Sequence, residues 1–208
     1  MRKFTRILSI ALTLTLTFCL IACSDKTTTE SPASTPTDEQ VENVISMDKR
    51  HKLVDTGKNG QLSYTYTLYD SYGDVVHEQT VAREPKIKYI SDNVMEICNS
   101  HGTSALSCVY FDLTTNKLSD VCWNPSYVDE NVIVYMEYDE SRNPSTFLVV
   151  KDIFDNNKLY KEYEYDFSPK AVPADVIKSV RRIDNDTLEI VYLKGKNEVE
   201  YTTKISLK

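Results

Sequence analysis

The chain has 208 residues, with 24 lysines and arginines against 31 aspartates and glutamates, so its formal net charge is −7. Because a pI near 5.1 leaves no basic stripe to displace counterions from a polyphosphate, nucleic acid is excluded as the expected partner. Hydrophobic residues make up 41% of the chain and charged residues 26%, which is typical of a folded protein and not of a disordered one.

The N-terminal segment has the three-part layout of an export signal. A basic head ends at Arg6, and an apolar run from Ile7 to Ile21 follows it. The run is about fifteen residues long, whereas a membrane-spanning helix needs roughly twenty apolar residues. We therefore predict a signal peptide over 1–22 and not a permanent transmembrane anchor.

The end of this segment, Leu20-Ile21-Ala22-Cys23, resembles the lipobox of bacterial lipoproteins. In that family the cysteine thiol receives a diacylglyceryl group, the preceding peptide is removed, and the new N-terminus is often acylated again, as with palmitate. The resemblance implies that Cys23 bears the lipid and that the protein is held at the extracytoplasmic face of a bacterial cell membrane. Two or three acyl chains give stable anchoring. The alternative is an ordinary secretory signal with a chance cysteine, such as Cys19.

Residues 23–46 are predicted to be the lipidated cysteine and a disordered tether. The stretch 24–40 is rich in Ser, Thr and Pro and lacks large apolar residues, so it cannot bury enough surface to become ordered. Loss of the basic head leaves a net charge of −10, so anionic lipid repels the domain and the acyl chains must provide the anchoring. A short helix beginning near Asp38 is also expected, because Val41, Val44 and Ile45 have helical spacing.

From residue 47 to Lys208 we predict an all-β domain. Apolar and polar residues alternate over 62–68 and 199–207, which is typical of half-buried strands. The segments 132–136 and 147–150 are apolar at every position, which indicates strands covered on both faces. Turn signals rich in Asn, Asp and Gly recur at short intervals. The expected architecture is an antiparallel meander of about ten to twelve short strands.

The domain also contains weak internal repeats. The segment 90–97 is similar to 128–135 and to 183–190, at offsets of 38 and 55 residues. A second hairpin signal recurs at 115–118 and 156–159. Units of about forty residues with two hairpins each resemble β-propeller blades. Because only three units and a leading hairpin are present, and closed propellers have four to eight blades, a β-sandwich and a closed barrel remain alternatives.

Three cysteines, Cys98, Cys108 and Cys122, lie in the predicted domain. If the chain turns between consecutive cysteines, they occupy three neighbouring strands, and either a Cys98–Cys108 or a Cys108–Cys122 bridge is geometrically reachable. Three buried, reduced thiols are an equally good alternative. A zinc site that includes His101 is less favoured, because the four ligands contain only one short spacing. We expect neither a metal nor another cofactor.

Tyrosine supplies the best indication of a binding surface, since the chain contains fourteen tyrosines. An exposed tyrosine ring can stack on a partner while its hydroxyl donates a hydrogen bond. The candidate binding residues are Tyr64, Tyr66, Tyr69 and Tyr72, and a second group comprises Tyr160, Tyr163 and Tyr165. Packing of alternate tyrosines in the core is the competing interpretation.

Catalytic motifs are missing from the sequence. It contains no Gly-x-Ser-x-Gly, His-Glu-x-x-His or phosphate-binding glycine loop, and its histidines are His51, His77 and His101. We therefore expect a non-enzymatic, lipid-anchored β-domain that binds an envelope protein or a glycan. The alternatives are a cell-envelope hydrolase acting on polysaccharide or peptide through paired carboxylates, and an accessory or inhibitor subunit of a membrane complex.

Overall fold

Four antiparallel sheets make up the part of the chain that the structure describes, which confirms the all-β prediction. The computed structural model describes residues 42–138, 141, 146–164 and 173–208, all within one compact unit. The first sheet consists of β1 (Asn43–Met47), β2 (His51–Asp55), β3 (Tyr64–Tyr69) and β4 (Val75–Val81). The second consists of β5 (Lys86–Tyr89), β6 (Val94–Ser100), β7 (Leu106–Asp112), β8 (Lys117–Leu118) and β9 (Cys122–Trp123).

The remaining two sheets are built in the same way. The third sheet consists of β10 (Tyr127–Val128), β11 (Val132–Tyr138), β12 (Thr146–Asp152) and β13 (Leu159–Glu164). The fourth consists of β14 (Ile177–Asp184), β15 (Thr187–Lys194) and β16 (Val199–Ser206), preceded by one helical turn, α1 (Pro173–Val176). Each sheet follows chain order, with β8 and β9 both pairing with β7. The described residues thus contain sixteen strands, more than the ten to twelve expected, partly because β8, β9 and β10 have two residues each.

The sheets pack face to face in chain order. One buried cluster joins the first and second sheets through Leu53, Tyr66 and Met95, and another joins the second and third through Tyr110 and Ile133. A third cluster joins the third and fourth sheets and is formed by Val134, Leu148, Val150, Leu188, Ile190 and Tyr192, among others. The second and third sheets are therefore covered on both faces. This confirms the prediction made for the apolar segments 132–136 and 147–150.

The sequence repeats correspond to equivalent turns. The turns at 91–93, 129–131 and 184–186 each join the first and second strands of a sheet, and those at 115–117 and 156–158 join the third and fourth. Asn116 has a φ of 57°, a backbone conformation that Asn tolerates better than most residues. The repeating unit is therefore a four-stranded meander. In the first sheet, β1 and β2 form the first half of this unit, and the hairpin at 61–82 forms the second half.

The N-terminal boundary of the domain differs from the prediction. Strand β1 begins at Asn43, inside the segment assigned to the tether, and Val44 and Ile45 are extended instead of helical. A register shift between Val44 and Ser46 interrupts the pairing of β1 with β2, which explains why the strand shows no period of two. The signal peptide, Cys23 and the stretch 24–40 lie outside the described residues. Within the described part of the chain, no helix is long and apolar enough to cross a membrane.

Candidate functional site

One end of the domain carries the same capped turn in every sheet. Because consecutive strands are antiparallel, the turns after the first and third strands of a sheet lie at the same end. In each such turn a side-chain oxygen accepts hydrogen bonds from backbone N–H groups further along the turn. The accepting residues are Asp48, Asp70, Ser91, Asp112, Asp129, Asp152 and Asp184. We call this end of the domain the turn end.

Basic side chains connect the turns of neighbouring sheets. Arg50, between β1 and β2, donates from Nη2 to the Leu113 carbonyl oxygen at 3.0 Å and to Asn116 Oδ1 at 2.9 Å. Lys117, which begins β8, donates from Nζ to the carbonyl oxygen of Phe154 in the turn after β12. These contacts connect the first sheet to the second and the second to the third. The turn ends of the three sheets are therefore held side by side.

Arg182 connects the fourth sheet to the third in the same manner. Its Nε donates to Asp129 Oδ2 at 2.8 Å, and its Nη2 donates to the same oxygen at 2.5 Å. The Tyr127 hydroxyl also donates to Asp129 Oδ2, at 2.9 Å. Asp129 Oδ1 meanwhile accepts the N–H groups of Asn131 and Val132 at 3.2 and 3.0 Å. One carboxylate thus caps its own turn and binds the next sheet.

A polar cleft of about 770 Å³ opens between these turns. Its walls come from the second, third and fourth sheets, so it exists only when the three are stacked. The charged residues that line it are Asp112, Asp129, Glu130, Asp152 and Arg182. Four carboxylates and one guanidinium line the cleft, and the guanidinium is already bound to Asp129. The cleft therefore favours cationic over anionic ligands.

The carboxylates of the cleft are mostly committed to the turns. Burial alone would raise the pKa of Asp112, but hydrogen bonds from the Thr115 hydroxyl and from the backbone amides of Thr114 and Thr115 outweigh it and lower that pKa. Asp152 Oδ1 accepts the N–H groups of Phe154 and Asp155 at 2.9 and 3.0 Å. Glu130 is exposed and has no ion-pair partner among the described residues. It is therefore the carboxylate of the cleft that is free to bind a ligand.

The hydrogen bonds to Asp112 do not suit this carboxylate to the role of a general acid. A general acid needs a carboxyl group that stays protonated near neutral pH, and hydrogen bonds to the ionised form act in the opposite direction. None of the three histidines, all of which the structure describes, lines the cleft. The cleft thus offers fixed negative charge together with amide and hydroxyl groups.

The histidines have structural contacts elsewhere. His51 lies 3.0 Å from Asp48 Oδ1 and 3.2 Å from Ser46 Oγ, and it is buried. His77 packs against Tyr66, with ring centroids 5.8 Å apart. His101 Nε2 lies 2.7 Å from the hydroxyl oxygen of Ser107. That serine is missed by local motifs because it reaches His101 only through the hairpin.

A serine and a histidine in contact do not make a hydrolase site at this position. Ser107 is buried, and the ring of His101 packs against Trp123 with centroids 4.9 Å apart. A nucleophile needs access to substrate and a third group that orients the histidine. No acidic side chain is hydrogen-bonded to His101 among the described residues. The contact is therefore a packed polar pair on the second sheet.

The four candidate tyrosines of the first group do not form one exposed surface. Tyr66 is fully buried and Tyr64 packs against the same cluster, so these two belong to the core between the first and second sheets. Tyr69 is half-buried, and Tyr72 alone of the four is prominent, with 90% of its area exposed at the β3–β4 turn. Tyr160 also packs against a core cluster. The side chains of Tyr163 and Tyr165 lie outside the described residues.

The three domain cysteines form one cross-strand row. Cys98 and Cys108 are directly opposed on β6 and β7 and are joined by a disulfide. Cys122 lies opposite Cys108 on β9 and is a buried free thiol. Burial raises the pKa of Cys122 to about 12, so this thiol stays protonated and unreactive at neutral pH. Of the two bridges considered from sequence, the structure contains Cys98–Cys108.

The same bond bears on the zinc alternative. Glu96 lies beside Cys98 and Cys108, and the three ligand atoms are within 4.8 Å of one another. Zinc binds thiolates, and sulfurs joined in a disulfide are not thiolates. His101 is bound to Ser107 instead of facing the cysteine row. The proposed ligand set of Cys98, His101, Cys108 and Cys122 is therefore not assembled.

Comparison with known proteins gives no match to a family model, a curated protein or a solved structure. Within the chain itself, the features that bear on function are the Asp-capped turn end, the acidic cleft and the lipobox-like segment of the sequence.

Proposed function

We propose that this protein is a non-enzymatic binding module, anchored by lipid on Cys23 at the extracytoplasmic face of a bacterial membrane. The anchor is supported by the basic head, the short apolar run and the Leu20-Ile21-Ala22-Cys23 segment. The binding role is supported by one observation above all, the acidic cleft of about 770 Å³ at the turn end, in which three of the four carboxylates are turn caps.

The partner that best suits this cleft is a basic segment of an envelope protein. Glu130 and the turn carboxylates supply negative charge, and the mature chain is acidic overall. A glycan is less well suited, because sugar recognition benefits from exposed aromatic rings and the cleft contains only the half-buried ring of Phe154. A hydrolase is disfavoured because hydrogen bonds hold Asp112, a lining carboxylate, in its ionised form.

Membrane fractionation tests the anchor. Cys23→Ser removes the thiol to which lipid would attach, so the protein should move to a soluble fraction or accumulate uncleaved. Ser24→Ala is the matched control, because it changes the neighbouring residue and leaves the thiol. A Cys23→Ser protein that stays on the membrane at its mature size would show that the lipobox interpretation is wrong.

Site-specific photo-crosslinking in intact cells tests the cleft. A photoreactive residue at Glu130 should capture one envelope protein, whereas the same residue at Thr80, on the outer face of the first sheet, should not. Glu130→Lys should abolish binding of that protein, and Glu130→Gln should weaken it, with binding falling as salt concentration rises. Equal capture from both positions, or binding that ignores Glu130→Lys, contradicts the proposal. Capture of polysaccharide would favour the glycan instead.

A further inference from the structure

Among the described residues, no strand pairs with the outer side of β16, the last strand of the fourth sheet. This sheet has three strands, whereas the others have four or more, and β16 pairs with β15 over its whole length without a register shift. In the other three sheets the pairing of the last strand in chain order is interrupted, by register shifts near Tyr69 and Lys151 and by the break between β8 and β9. Such interruptions protect an edge from pairing, and a long regular edge lacks that protection.

One backbone hydrogen bond shows which residues of β16 point their N–H and C=O groups away from β15. Leu207 donates its N–H to the carbonyl oxygen of Asp186 at 2.8 Å, so its polar groups point toward β15. Because hydrogen-bonded and non-hydrogen-bonded pairs alternate in an antiparallel ladder, the N–H and C=O groups of Glu200, Thr202 and Lys204 point away from β15. No described strand pairs with these groups, so they can bond to a further strand.

The side chains of the same three residues lie on the outer face of the sheet. Ile205 is 3% exposed in the core, and the ring of Tyr201 makes an edge-to-face contact with the buried Tyr192, with centroids 5.5 Å apart, so the odd-numbered residues face inward. Val199 and Tyr201 are nevertheless 61% and 47% exposed, and no described strand lies beyond them. The edge thus combines open backbone groups with partly uncovered apolar side chains.

The sequence of β16 is complementary to itself. When two copies run antiparallel with Thr202 opposite Thr202, Glu200 of each copy lies opposite Lys204 of the other. On the inner face, Val199 lies opposite Ile205. Directly opposed charges of opposite sign stabilise a sheet, and like charges destabilise it. A shift by two residues would place Thr202 opposite Glu200 or Lys204 and would lose both charge pairs.

We infer that two copies of this chain pair through β16 in this register, forming a twofold-symmetric dimer with a continuous six-stranded sheet. The hydrogen-bonded residue pairs of the new ladder are then the charge pairs and the central threonine pair. The dimer uses a surface separate from the acidic cleft. A strand from another protein would gain the same backbone bonds but would not share the matched charges.

Disulfide trapping of the full mature chain tests the register. Thr202→Cys would place two thiols opposite each other across the symmetry axis, with Cα atoms about 5.5 Å apart, which a disulfide can span. Ser206→Cys is the matched control on the same exposed strand, because its two copies would be about 27 Å apart. Mild oxidation should give a covalent dimer from Thr202→Cys and little from Ser206→Cys. Equal yields, or no dimer from Thr202→Cys, would overturn the inference.

Charge exchange provides a second, independent test. Glu200→Lys or Lys204→Glu alone places like charges opposite each other twice and should weaken dimerisation about tenfold. The double variant exchanges the charges and should restore it. Sedimentation equilibrium in detergent measures the constant, and the urea midpoint reports the fold, because Lys204 also lies opposite Glu189. A double variant that remains weakened, or a wild-type chain that is monomeric at high concentration, contradicts the inference.

Discussion

The guanidinium of Arg182 donates two hydrogen bonds, from Nε and Nη2, to one carboxylate oxygen of Asp129, a residue 53 positions away in the chain. Both side chains are less than one third exposed, at 27% and 21%. The pair connects the fourth sheet to the third at the rim of the cleft. It therefore contributes to the packing of the sheets and to the shape of the binding site.

Removal of this pair should be measurable. Arg182→Ala leaves the Asp129 carboxylate without its charged donor and should lower the free energy of unfolding by about 1–2 kcal/mol. Arg182→Lys should retain part of that stability. Arg181→Ala is the matched control, because Arg181 is 71% exposed in its pair with Glu189 and should contribute under about 1 kcal/mol. Equal losses for Arg181→Ala and Arg182→Ala in urea unfolding would contradict this account.

The Asp caps should make the fold sensitive to acid. The pKa of Asp112 is lower in the folded chain than in the unfolded one, so its stabilisation is present above the unfolded value near 4 and is lost as pH falls through the folded value. Asp112→Asn keeps an oxygen that can accept the turn amides but cannot titrate, so the urea midpoint should fall less steeply below about pH 4. Glu130→Gln is the matched control for the change in net charge, because it also removes one carboxylate of the cleft but removes no cap.

Buried tyrosine should produce a corresponding loss of stability in alkali. Burial raises the pKa of Tyr66 to about 12, so the folded state keeps its phenol proton after the unfolded state has lost it. Stability is therefore full below the unfolded value near 10 and falls as pH rises toward 12. Tyr66→Phe loses the hydrogen bond to Gln79, about 1 kcal/mol at neutral pH, but should flatten this fall. An unchanged slope, equal to that of Tyr72→Phe, would count against it.

The disulfide should stabilise the domain through the hairpin that it closes. Replacing both Cys98 and Cys108 by alanine, or reducing them, should lower the free energy of unfolding by about 2–3 kcal/mol for a loop of ten residues. The denatured, unreduced chain should show one reactive domain thiol, Cys122, and the native chain none. A chelator should have no effect on the unfolding midpoint. Three reactive thiols after denaturation without reductant would mean that the bridge does not form.

The strands and turns of this fold could largely be predicted from the sequence, whereas the contacts between its sheets could not. Period-two alternation identified β3 and β16, and the Asp- and Asn-rich segments identified the turns, because backbone preference acts over a few residues. The contact of Arg182 with Asp129 was not predictable, since it depends on which sheets pack together. Alternation also placed Tyr64 and Tyr66 on one face without indicating that this face was the core. The bulged β1 was missed because a register shift removes the pattern.

The stacking of the sheets also constrains the order in which the chain can fold. The first sheet has a polar outer face, with Thr65 hydrogen-bonded to Thr80, but the second and third sheets have no face suited to water. As the chain is synthesised from its N-terminus, each new sheet therefore presents a bare apolar surface until its successor arrives. The fourth sheet needs no successor, because its outer face carries polar side chains such as Arg181 and Glu189. Nascent chains that stop before β16 should accordingly be the forms that need chaperones and the forms that aggregate.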